Sequence, residues 1–102
     1  MTPTQRSLAK LRGEGYRVAV VERWNPHARI RQDLFGIVDL LAIRAGETLA
    51  VQTTSGSNVS KRVAKIADCD AISDIRAAGW RIEVHGWRKL KGRWACRVED
   101  VS

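Results

Sequence analysis

The stretch FGIVDLLAIRAGETLAVQTTS, residues 35–55, constrains this chain more than any other. Two apolar runs of strand length meet at AGET, a pattern that predicts a β-hairpin. Both runs are nearly continuous in apolar character, so both faces of these strands should be covered by other elements. Three polar residues interrupt them: Asp39 in the first run, Gln52 and Thr54 in the second. Side chains alternate across a strand. Asp39 therefore shares a face with Ile37 and Leu41, and Gln52 shares one with Ala50 and Thr54. Similar distances from the turn place Asp39 and Gln52 nearly opposite each other. A buried carboxylate without compensation costs on the order of several kcal/mol. A cation, a basic side chain or water must sit against it. Mg²⁺ is the economical choice, because it prefers oxygen ligands and takes one or two carboxylates with water and phosphate around them. Asp39 offers a carboxylate and Gln52 a carbonyl oxygen. The structural alternative is an Asp39 paired with an arginine or bonded to neighbouring backbone.

The rest of the chain arranges itself around this hairpin. Residues 2–12 predict a helix, with Thr2 as cap, Pro3 in the first turn and Gly13 or Gly15 as its stop. Leu8 and Leu11 form its apolar stripe. YRVAVVERW, 16–24, reads as one strand, and 25–35 as an arginine-rich loop. The hairpin strands cover 36–45 and 48–55. After the SGSN break, Asn58 can cap a helix over 59–79, patterned by Val59, Val63, Ile66, Ile72 and Ile75, with a break point around Asp68 to Asp70. WRIEVHGW and GRWACRVEDV predict two last strands around a basic turn, RKLKGR. The order αβββαββ implies a single α/β domain over 1–102, with a mixed sheet and helices on its faces or ends.

Composition narrows the function classes. The chain has 102 residues, with 18 Lys and Arg against 11 Asp and Glu, a net charge of +7. So basic a small domain suits a polyanionic partner, nucleic acid first. No apolar run reaches membrane-spanning length, and MTPTQRSLAK lacks the apolar core of a signal peptide. The expected location is the cytoplasm, of a bacterium or of a phage-infected host. Cys69 and Cys96, 27 positions apart, lack zinc-ligand spacing and read as reduced thiols. His27 and His85 have no partner at ligand spacing. Core packing accounts for most of the four tryptophans, and Trp87 and Trp94 are placed to pair across the last hairpin.

The chain resembles the PD-(D/E)XK nuclease superfamily, in its small, phage-type Holliday-junction-resolvase-like and VRR-NUC-like branch. GIVD stands where that pattern has a Gly-x-Pro-Asp lead, which aligns Asp39 with the metal-binding aspartate. VQTTS stands where the pattern has Glu-x-Lys, which aligns Gln52 with the glutamate and Thr54 with the lysine. The acid found on the first helix of resolvases falls near Gln5. The resemblance covers roughly residues 3–87 and implies an αβββαβ restriction-endonuclease-like core. Two of the three signature positions are altered. Asp33 can supply a second carboxylate, with Glu22 as the weaker choice. Lys61 or Lys65, four apart on the following helix, can replace the missing lysine.

The resemblance implies a Mg²⁺-dependent DNA endonuclease (Mn²⁺ an alternative) that is selective for branched or junction DNA and acts as a homodimer. Catalytic candidates are Asp39, Gln52, Thr54, Lys61 and Lys65, and metal ligands are Asp39, Gln52 and Asp33. Arg29 and Arg31 before the site, and Ser55, Ser57, Asn58, Lys61, Arg62 and Lys65 after it, form the expected DNA contacts. The competing expectation is a catalytically weakened relative that holds DNA or a partner without cutting.

Overall fold

The computed structural model describes residues 1–102. Its chain order is α1 (Pro3–Gly13), β1 (Arg17–Val20), β2 (Arg23–Asn25), β3 (Ile30–Gln32), β4 (Leu40–Arg44), β5 (Glu47–Ser55), a 3₁₀ turn (Gly56–Asn58), α2 (Val59–Ala67), α3 (Ile72–Ala77), β6 (Arg81–Leu90) and β7 (Arg93–Asp100). Five strands form one mixed sheet in the order β1-β4-β5-β6-β7, and β2 and β3 form a separate two-stranded ribbon. The β5–β6 pair is parallel and the other neighbours are antiparallel. The crossover through α2 and α3 is what a parallel pair requires.

Helices cover both faces of the sheet. On one, Leu11 of α1 packs with Tyr16, Leu40, Ala42, Leu49 and Val51. On the other, Val59, Ile66, Ile72 and Ile75 of α2 and α3 pack with Ala50, Ile82 and Val84. β5 is sandwiched between them and buried from Leu49 to Thr54, as its apolar run demanded. Helix α1 opens with a capping box: the Thr2 hydroxyl accepts from the Gln5 backbone N–H at 3.2 Å, and the Gln5 side chain accepts from the Thr2 N–H at 2.9 Å.

A polar chain ties α1 to the sheet beneath it. Trp87 Nε1 donates to Ser7 Oγ at 2.8 Å, Ser7 Oγ lies 2.9 Å from His85 Nδ1, and His85 Nε2 lies 3.1 Å from Glu83. The order resembles a Ser–His–acid triad, but Ser7 and His85 are fully buried, so no substrate reaches the hydroxyl. Its effect is to satisfy groups that would otherwise be orphaned in the core.

Several details differ from the sequence reading, and one is the second strand, expected over 36–45, which begins only at Leu40. The expected strand over 16–24 breaks at Val21–Glu22, and the expected loop over 25–35 supplies β3, so the two segments fold into the β2–β3 ribbon. Asn58 heads α2 without a side-chain cap; its amide donates to Ser55 Oγ at 3.0 Å instead. Trp87 faces Cys96 and Trp94 faces Lys89, so the two tryptophans do not pair. Trp24 and Trp94 are 59% and 46% exposed and lie outside the core. The helical segment divides into α2 and α3 at residues 68–71, at the expected break point.

Candidate metal centre and nucleic-acid interface

The hairpin register decides the geometry of the site. Leu40 pairs with Val51 and Leu41 with Ala50, and this register brings the side chains of Asp39 and Gln52 together. The Asp39 N–H donates to the Val51 carbonyl, the partner of Leu40, at 2.9 Å, so regular pairing ends at Leu40. Asp39 is 3% exposed and Gln52 2%. The Asp39 Oδ2 atom accepts from Gln52 Nε2 at 2.6 Å, from the Thr53 N–H at 2.7 Å and from Thr53 Oγ1 at 3.2 Å. The two polar interruptions of the hairpin therefore meet in one place.

Two local folds bring further carboxylates to Asp39. Leu34 bridges Val38 across a tight reversal in which Phe35 and Gly36 have φ of 55° and 80°. Asp33 and Asp39 are the residues flanking that bridge. On the other side, β1 stops at Val20, and the Val21 N–H donates to the Asp39 carbonyl at 2.9 Å. This break carries Glu22 to the same spot. Carboxylate oxygens of Glu22, Asp33 and Asp39 lie within 4.8 Å of one another. Thr4 on α1 braces the group, with its hydroxyl 3.1 Å from Glu22 Oε1 and 2.8 Å from Thr53 Oγ1.

The electrostatics of this cluster call for a cation. Burial pushes the Asp39 carboxyl above its ordinary value, and Glu22 adds to the rise; the Thr53 backbone N–H opposes it. Burial likewise raises Asp33, reinforced by the adjacent Asp39 charge and opposed by Gln52 and Lys65. Gln52 Nε2 donates to Asp39 and approaches Asp33 Oδ2 at 3.5 Å, while Gln52 Oε1 is buried with no partner. Turning the amide over would aim Oε1 at two carboxylates, which is favourable only with a cation between them. Three carboxylates, joined by Gln52 Oε1 once the amide turns over, would make an all-oxygen donor set that fits a hard divalent ion. The nearest ammonium, Lys65 Nζ, is 3.6 Å from Asp33 Oδ2.

The cluster lines a cleft of about 500 Å³. Arg31, Arg62, Lys65, Ser55 and Thr54 line it with the three acids, Gln52 and Thr53. Arg31 is also paired with Glu22 at 3.3 Å. Acids at the centre with cations at the rim suit a phosphate that approaches a bound metal ion.

The sequence-predicted residues divide accordingly. Asp39, Gln52, Asp33, Thr54, Lys65, Arg31, Ser55 and Arg62 share the cleft. Lys61 and Asn58 border an adjoining groove with Arg62 and Lys65. Ser57 is exposed beside Ser55, at 3.3 Å between hydroxyls, and Arg29 sits in the exposed turn between β2 and β3. Gln5 is engaged in the helix cap rather than in the cleft. Glu22, the weaker choice from sequence, stands in the centre. Thr53 and Thr4 escaped notice, and the one signal for Thr53 was its position beside Gln52. No protein-family model matches this chain, and no curated protein does.

Proposed function

We propose that this chain is a small metal-dependent DNA endonuclease of PD-(D/E)XK type, with a restriction-endonuclease-like core, selective for branched or junction DNA and active as a homodimer. The observation that carries the reading is the convergence of Glu22, Asp33 and Asp39 beside the buried Gln52 amide within a cation-rimmed cleft. Asp39, Asp33, Glu22 and Gln52 would hold Mg²⁺ or Mn²⁺. The ion supplies Lewis-acid charge that polarises water and a phosphoryl oxygen. The protein's part is positional and electrostatic. Thr53 fixes the Asp39 carboxylate through two hydrogen bonds, and Lys65 takes the charge-stabilising role that Thr54 cannot. Arg31 and Arg62 draw the phosphate backbone into the cleft.

One observation favours the second reading, a nuclease-like protein that binds DNA without cutting it. Thr54 puts an uncharged side chain where the resembling family has its lysine, and Lys65 is already engaged by Asp33. A cleavage assay separates the two. Labelled four-way junction, duplex and single-stranded DNA are incubated with protein and Mg²⁺ or Mn²⁺. The endonuclease reading expects metal-dependent cuts, strongest on the junction, that fall at least a hundredfold in Asp39→Asn. Binding of the same substrates with no cleavage under either ion rejects it in favour of the second reading.

A further inference from the structure

Beyond the end of β5 the sheet narrows to two strands. β5 stops at Ser55, opposite Trp87 of β6, while β6 and β7 remain paired as far as Leu90 and Arg93. Residues 88–95 thus form a two-stranded arm. Its tip is a two-residue turn, Lys91–Gly92, with φ of 49° and 79°, as a type I′ hairpin requires. RKLKGR, read from sequence as a turn, is mostly strand.

The arm's charge is one-sided. Arg88, Lys89, Lys91 and Arg93 lie within it and Arg97 just below, and no Asp or Glu occurs between Val84 and Val98. Residues 88–94 are all exposed. Arg97 is paired with Glu99 at 3.4 Å, whereas the four cations of the arm have no carboxylate partner. Such a cluster repels itself unless an anion lies against it.

Both faces of the arm carry this charge. Arg88 shares a face with Gly86, and cross-strand pairing adds Arg93, opposite Leu90, and Arg97, opposite Gly86. That face continues toward Lys61 and Arg62 of α2, since Val59 packs directly on Gly86. On the other face Lys89 pairs with Trp94, whose ring lies under the Arg6 guanidinium at 3.8 Å. Arg6 Nε is buried there without a partner.

The arm also stands beside the cleft. β5 and β6 are parallel, so their C-terminal ends share one edge of the sheet. Gln52 to Ser55 line the cleft at that edge, and the arm rises from the neighbouring strand. Gly56 rests so close to Arg88 that an added Cβ would come within 3.2 Å of the arginine's Cβ. The overhang is about 10 Å long at roughly 3.3 Å per residue. The major groove of B-DNA, about 12 Å wide and 8.5 Å deep, admits a two-stranded ribbon.

We infer that the β6–β7 arm docks double-stranded DNA by entering the major groove, its two cationic faces meeting the phosphates of the two groove walls. Delivery of a phosphodiester to the cleft rests on the endonuclease reading; docking by the arm does not. The test uses the full chain in EDTA and fluorescence anisotropy with a duplex DNA of about two and a half helical turns. The triple variant Arg88→Ala, Lys89→Ala, Arg93→Ala removes three exposed charges, and its melting curve checks the fold. Duplex affinity is expected to fall at least tenfold, and the slope of log affinity against log salt to become shallower by about 2–3. The loss on single-stranded DNA or on duplex RNA, whose major groove is too narrow for a ribbon, should be at most a third as large. Unchanged duplex affinity and slope overturn the inference, and so does an equal loss on all three nucleic acids. A small chromogenic phosphodiester assayed with Mn²⁺ separates this outcome from that of the endonuclease reading, because such a substrate needs the cleft and not the arm. Turnover by wild type and variant alike with unchanged duplex binding rejects the arm alone. No turnover by either, with duplex binding lost in the variant, rejects the endonuclease alone.

Discussion

Gln52 holds Asp39 in place with its amide N–H, and in doing so leaves its own oxygen buried and unpartnered. A buried acceptor in that condition costs about 1–3 kcal/mol. The arrangement predicts the behaviour of Asp39→Asn. The substituted amide can keep an oxygen at the Oδ2 position, where it accepts from both the Thr53 N–H and Gln52 Nε2. It also removes one of three crowded carboxylates. In EDTA this variant is expected to melt no lower than wild type, and up to about 1 kcal/mol more stably, or roughly 4–8 °C. Added Mg²⁺ or Mn²⁺ should raise the wild-type melting temperature and leave the variant's almost unmoved. Paired thermal melts with and without the ion check both halves. A variant that unfolds several degrees early in EDTA would show Asp39 to be a structural ion-pair residue, as the alternative sequence reading had it.

At the scale of elements, the cleft depends on how closely α2 sits on the sheet. Gly86 in β6 faces Val59 at the start of α2, and a Cβ added there would lie 2.3 Å from Val59 Cγ2. No side chain tolerates that distance, so Gly86→Ala must push the first turn of α2 outward. Overpacking of this kind costs about 1–3 kcal/mol. Urea denaturation should show a midpoint lowered by that loss divided by the slope, with the slope unchanged, and metal-dependent cleavage should fall with it because Arg62 and Lys65 ride on α2. An unchanged midpoint would mean that α2 is not seated on β6 in solution. The sequence made some of these relations readable and hid others. Asp39 opposite Gln52 was legible because a tight turn between two apolar strands leaves almost no freedom of register. α1 and the α2–α3 break were legible through caps and apolar spacing. Glu22 was legible only as the weaker choice, since nothing local in YRVAVVERW marks the break at Val21–Glu22. The β2–β3 ribbon was missed for the same reason: three-residue strands rich in arginine carry too little periodicity. The length of the β6–β7 arm was hidden because basic residues in a strand look like a loop.

The whole molecule separates its charge, with three carboxylates gathered in one cleft and a net charge of +7 spread mainly over the surface. This makes its stability sensitive to protons and cations together. Asp33 and Asp39 have carboxyl groups raised above the ordinary value of 3.8. Between 3.8 and the raised values the folded protein binds more protons than the unfolded chain, so stability contributed by this pair falls as pH climbs through that window. Below 3.8 both states hold the protons and the pair's contribution is fully present. Above the raised values it is gone, and the cluster carries its full unrelieved repulsion. A divalent cation held by the deprotonated cluster would compete with the same protons, so the stabilisation it brought should follow the opposite course. At a fixed ion concentration of 100 times the dissociation constant measured above the window, the gain is about 2.7 kcal/mol. That corresponds to roughly 10–20 °C in melting temperature for a domain of this size. The ion-induced shift is expected to be largest near neutral pH and to shrink toward zero as pH falls below 3.8. Asp33→Asn should flatten the descent of the EDTA curve and reduce the shift. Melting curves at half-unit pH steps, with EDTA and with Mn²⁺, measure both. An ion-induced shift that does not change with pH would place the cation elsewhere on the molecule and remove the metal centre from the cleft.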